Sequence, residues 1–104
     1  MGNEFHKQAE KLGLDNRMMQ CMEEMSELTK ALCKWKRYYS SDPTLRQNIY
    51  QIRENVIEEI ADTEYCLEQL KYLLGAKGKI EQIKEEKLKR TELMLRERGW
   101  YGKT

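Results

Sequence analysis

Apolar residues return along this chain every three or four positions, the spacing that lines one face of an α-helix. Met18, Cys21, Met25, Leu28, Leu32 and Trp35 make one such stripe, and Ile49, Ile52, Val56, Ile60, Thr63, Leu67, Leu70 and Leu74 make another. The rhythm breaks at Gly13, at Ser40-Ser41-Asp42-Pro43 and at Gly75-Ala76-Lys77-Gly78, which divides the chain into four predicted helices. The first begins after Asn3 as N-cap and runs to about Leu12, where Gly13 stops it. The second starts near Asp15 or Asn16 and ends near Tyr39. Asp42 as N-cap and Pro43 at the first helical position open the third, whose length to Leu74 is on the order of 45 Å at 1.5 Å per residue. The fourth, from about Lys79 to Arg98, is sparsely apolar and rich in Glu and Lys, and Gly99-Trp100-Tyr101-Gly102 follows as an aromatic tail. With a single Pro and an abundance of good helix formers, the expected fold class is all-α, a four-helix bundle in one domain spanning residues 1–104.

Composition adds an expectation of assembly. The chain is 39% hydrophobic and 36% charged, and a mean hydropathy of −0.90 is low for a lone compact globule of this size. The bundle is therefore expected to be completed by oligomerisation, as a homodimer or homotetramer. A formal net charge of +1 excludes a binder of polymeric nucleic acid driven by bulk positive charge. Cys21, Cys33 and Cys66 lie far apart in no metal-binding spacing, and their odd number fits a reducing compartment. The opening residues Met1 to His6 lack the pattern of a signal peptide, and no apolar run reaches membrane-spanning length. The expectation is a cytoplasmic protein without a membrane partner.

The charges are not evenly spread. Glu23-Glu24-Met25-Ser26-Glu27 on the second helix and Glu58-Glu59-Ile60-Ala61-Asp62 on the third each set two carboxylates at i and i+3, on one helix face a turn apart. Glu24 with Glu27, and Glu59 with Asp62, lie to the same rotational side of their apolar stripes. If the two helices pack antiparallel, both flanks fall on one face and the four carboxylates converge. Acids on a helix are usually solvated, but Glu24, Glu59 and Asp62 have no Lys or Arg at i±3 or i±4, and Glu54, Glu58 and Asp62 form a column of like charge. Each such like-charge pair costs roughly 0.2 to 0.5 kcal/mol. A hard divalent cation such as Mg²⁺ would offset that repulsion through oxygen ligands.

Glu23-Glu24-x-x-Glu27 followed by Glu59-x-x-Asp62 on consecutive helices resembles the EExxE…ExxD signature of the MazG-like nucleoside triphosphate pyrophosphohydrolases, the all-α NTP pyrophosphatases. The match covers about half the chain. Lys87-Leu88-Lys89-Arg90 and Arg96-Glu97-Arg98-Gly99 are similar to the basic C-terminal segment of many members, whereas the stretch from Glu27 to Glu59 is longer than the usual gap.

The resemblance implies hydrolysis of a nucleoside triphosphate between its α and β phosphates, giving a monophosphate and pyrophosphate. It implies Mg²⁺, with Mn²⁺ as a substitute, held by Glu24, Glu27, Glu59 and Asp62. Glu23 or Glu58 is the candidate to accept a proton from the attacking water. Phosphate contacts could come from Lys30, Lys34, Lys36 or Arg37, although cations also suit a helix C-terminus. Tyr65 could stack on a base, whereas Trp35 continues the apolar stripe. The competing readings are a phosphoribosyl-ATP pyrophosphohydrolase and a non-catalytic helical oligomerisation or adaptor module.

Overall fold

The computed structural model describes residues 2–41 and 47–100. These residues are helical throughout their regular structure, with α1 at Asn3–Leu12, α2 at Leu14–Tyr39, α3 at Ile49–Leu74 and α4 at Lys77–Glu97. The chain divides into two compact units, residues 1–73 and 74–104. Asp42, Pro43, Tyr101 and Gly102 lie outside the described residues, but α3 does not run unbroken from Pro43 as the sequence predicts: Gln47 and Asn48 are not helical, and the helix begins at Ile49.

Local chemistry accounts for the helix ends. Asn3 is the first residue of α1 and not its cap, which is Gly2. Gly13, at φ 86°, closes α1 and opens α2 in a backbone region that a side chain disfavours, and its N–H bonds Ala9 O at 2.9 Å. At the described start of α3, Asn48 Oδ1 accepts from the Gln51 N–H at 2.9 Å while Gln51 Oε1 accepts from the Asn48 N–H at 3.1 Å. This reciprocal pair is a capping box.

The first unit is built on α2 and α3 running antiparallel. Thr63 reaches the backbone of Glu24, and Arg17 reaches Gln69, so a step forward on α2 is matched by a step back on α3. The core lies one position away from part of the sequence pattern. Arg17, Cys21 and Ala31 of α2 face Ile52, Val56, Thr63, Cys66 and Gln69 of α3. Met18, Met25, Leu32, Ile60 and Leu67, which the periodicity assigned to the inner stripes, remain 39 to 45% exposed. The small side chains at Cys21, Ala31, Thr63 and Cys66 let the helix axes approach, and the distance between packed helices follows the side chains at their contact. The bulkier neighbours are left outside.

Helix α1 covers part of this pair through Phe5 and Ala9, both buried. Phe5 meets the edge of Tyr65 at 5.4 Å and His6 stacks on Tyr72 at 3.9 Å, while the Tyr65 and Tyr72 hydroxyls bond Gln8 and Glu10. Buried Arg17 donates to Gln69 Oε1 at 2.8 Å and to Asn16 Oδ1 at 2.7 Å. In the second unit α4 buries no residue and pairs Lys84 with Glu81 and Arg96 with Glu92 along its own surface.

Candidate metal centre

Three carboxylates from two helices meet beside the α2–α3 seam. Glu24 comes from α2, Glu59 and Asp62 from α3, and one oxygen of each lies within 4.8 Å of the others. Glu24 and Glu59 are half-buried and Asp62 is exposed. The i, i+3 spacing of Glu59 and Asp62 puts them on one face of α3, and the antiparallel pairing brings Glu24 to the same level.

Neighbouring polar groups hold the cluster in place. Gln20, one turn before Glu24, donates from Nε2 to Glu24 Oε1 at 2.8 Å. The Thr63 hydroxyl lies 2.7 Å from Glu59 O and 3.3 Å from Glu24 O, so it ties the two helix backbones together directly under the carboxylates. Glu59 itself is left in an unfavourable position. Its Oε2 is shut off from solvent without a hydrogen-bond partner among the described residues. Burial raises its pKa from the ordinary value of 4.5, and the charges of Asp62, Glu24, Glu27 and Glu58 push in the same direction.

The donor set fits a hard divalent cation. Mg²⁺ takes carboxylate oxygens at about 2.0 to 2.1 Å and keeps several other positions for water or phosphate. Ligands on opposite sides of such an ion stand about 4 Å apart, so the 4.8 Å limit on the three oxygens is close to a chelating arrangement. Adding positive charge also answers both features of Glu59, its orphaned oxygen and its acidic surroundings.

A groove of about 520 Å³ adjoins the cluster. Glu27 and Glu59 line it together with Lys30, Lys34 and Arg37, and Asn55, also in the lining, lies one turn before Glu59. Glu27 is not part of the three-oxygen cluster and pairs instead with Lys30 at 3.4 Å. Glu23 and Glu58 are exposed and also lie outside the cluster. Of the candidate phosphate contacts, Lys36 is not among the groove residues. Tyr65 is engaged by Gln8 and Phe5 of α1.

Gln20, Asn55 and Thr63 belong to this site although the sequence pattern did not single them out for it. Each lies four residues from a cluster carboxylate, Gln20 from Glu24 and the other two from Glu59, which is the one signal that could have found them. The chain matches no known family, no curated protein and no solved structure.

Proposed function

We propose that this chain is a Mg²⁺-dependent nucleotide pyrophosphohydrolase, converting a nucleoside triphosphate and water into a monophosphate and pyrophosphate. The observation that carries the reading is the convergence of Glu24, Glu59 and Asp62 beside a groove whose lining also carries Lys30, Lys34 and Arg37. A bound ion, Mg²⁺ or Mn²⁺ in its place, would neutralise phosphate charge and lower the pKa of the attacking water. Glu24, Glu59 and Asp62 would hold it, with Glu27 completing the set after release from Lys30. Lys30, Lys34 and Arg37 would bind the polyphosphate oxygens that extend along the groove. Glu23 or Glu58, each adjacent in sequence to a cluster carboxylate, would accept the proton of the attacking water. Homodimers or homotetramers are the proposed working form.

Purified protein incubated with Mg²⁺ and a panel of natural and modified nucleoside triphosphates is expected to release pyrophosphate from at least one of them. Glu59→Gln is expected to abolish that release while the far-ultraviolet helical signal is retained. No release across the panel would sink the assignment. Helix α4, which buries no residue, favours a second reading, a helical adaptor module without catalysis. Millimolar Mg²⁺ separates the two, since a metal enzyme gains thermal stability from it and an adaptor does not.

A further inference from the structure

Two of the residues buried between α2 and α3 are cysteines, and the helix pairing sets them opposite one another. The Thr63 hydroxyl reaches Glu24 O at 3.3 Å, and Arg17 Nη1 reaches Gln69 Oε1 at 2.8 Å. Cys21 lies between Arg17 and Glu24 on α2, three residues before Glu24, and Cys66 lies between Thr63 and Gln69 on α3, three residues after Thr63. Equal steps away from one tie on antiparallel helices end at the same level. Both side chains turn into the seam, 2% and 4% exposed, and the Cys21 thiol donates a hydrogen bond to the Cys66 sulfur. Both cysteines are free.

A buried free cysteine is ordinarily an inert, small apolar residue. Arg17 makes this pair different. Its guanidinium is buried, its Nη1 lies 4.0 Å from Cys66 Sγ, and its other hydrogen bonds go to the side-chain oxygens of Gln69 and Asn16. No carboxylate answers that charge among the described residues. Burial raises both thiols above the ordinary value of 9.0, and the Arg17 charge opposes the rise at each, at Cys66 as the largest opposing influence. Cys66 is thus the better placed of the two to ionise, and Cys21 stands in contact with it to trap what forms there.

We propose that Cys21 and Cys66 are an oxidation site, a dithiol that a peroxide closes to a disulfide between α2 and α3 and that a thiol reductant reopens. Burial selects a small neutral oxidant over a bulky disulfide, since oxidation follows access. The Cys66 thiolate attacks one peroxide oxygen and the O–O bond breaks. The departing hydroxide takes up the proton that the thiol released, which leaves a sulfenic acid and one water. The Cys21 sulfur then attacks the Cys66 sulfur, the S–O bond breaks, and the Cys21 proton leaves with that oxygen as a second water. Two electrons pass from the two thiols to one peroxide. Sulfurs already in contact have a short approach to make to the S–S length of about 2.05 Å. The bond joins the two long helices covalently within a turn or so of the carboxylate cluster, Cys21 three residues before Glu24 and Cys66 four after Asp62. It fixes the level at which those acids meet.

In a Cys33→Ser background these two are the only cysteines left. The folded full chain is held in millimolar hydrogen peroxide, remaining thiols are alkylated in denaturant, and the peptides are mapped by mass. The peptides bearing Cys21 and Cys66 are expected to be joined to each other, lighter than their sum by two hydrogens, within one chain. Thermal melts are expected to rise by roughly 10 °C on oxidation, because the bond restricts the unfolded chain, and to fall back with dithiothreitol. Cys21→Ala and Cys66→Ala, treated alike, are expected to show no rise that dithiothreitol reverses. Oxidation of the exposed methionines is common to all three chains and is not undone by that reductant. Both thiols still free after a day in peroxide would overturn the proposal. So would sulfinic acid accumulating at either position, a bond that forms only when urea is present, or a joined pair with no gain in melting temperature. These measurements use no Mg²⁺ and no nucleotide, so they stand or fall separately from the metal chemistry.

Discussion

Glu59 keeps one carboxylate oxygen out of water without a donor, and the charges of four other acids act on it. Its folded pKa is raised, so the folded chain holds this proton to higher pH than the unfolded chain. With the cation chelated, the stability tied to Glu59 is full below about pH 4.5 and is lost as pH rises through the folded value. Thermal melts in chelator are expected to show Glu59→Gln melting above the natural chain near neutral pH, with the gap closing toward pH ~4. Arg17 presents the opposite case, a buried cation satisfied by the amides of Gln69 and Asn16. Gln69→Leu removes its acceptor at 2.8 Å. Urea unfolding is expected to show a loss of about 2 kcal/mol, the scale of a hydrogen bond to a charged group. The acids of the site are legible in the sequence because they lack basic neighbours along the helix. Arg17 and Gln69 are not, because a polar residue inside a helix shows its partner only when another helix is laid against it.

At the scale of elements, helix type and approximate extent follow from periodicity, while the ends depend on particular side chains. Asn48 and Gln51 satisfy each other's backbone N–H at the described start of α3. Asn48→Ala is expected to lower stability by about 1 kcal/mol in urea unfolding and to leave metal-dependent stabilisation unchanged, since the cap is far along α3 from Glu59. The 3-4 spacing also left a choice unresolved within α2 and α3. Adjacent stripes on each helix both read as apolar, and the spacing cannot say which one turns inward. The folded chain buries Cys21, Ala31, Thr63 and Cys66 between the helices, and Met18, Met25, Leu32, Ile60 and Leu67 lie outside.

For the whole molecule, the test of the metal reading is a shift in stability that does not depend on knowing the substrate. At ten times its dissociation constant, an ion that binds only the folded chain adds about 1.4 kcal/mol. For a chain of this size that raises Tm by roughly 5 to 10 °C, and the expected gain with Mg²⁺ is absent in Glu59→Gln. Differential scanning calorimetry with and without chelator measures both. No described helix is long and apolar enough to cross a membrane, in keeping with the low apolar content of the sequence.

The sequence alone determined that the chain is helical, that its helices are interrupted near Gly13 and Gly75, and that Glu24, Glu59 and Asp62 sit on helix faces without local counter-charges, because each of these is a property of neighbours within a turn or two. Only the tertiary structure decided which acids meet. It brought Glu24, Glu59 and Asp62 together and left Glu27 on Lys30, supplied Thr63 and Gln20 as supports, and turned one apolar stripe of each long helix outward. Those outcomes depend on the level and rotation at which two helices pack. That geometry is set by the size of the side chains between them, and helical spacing carries no information about it.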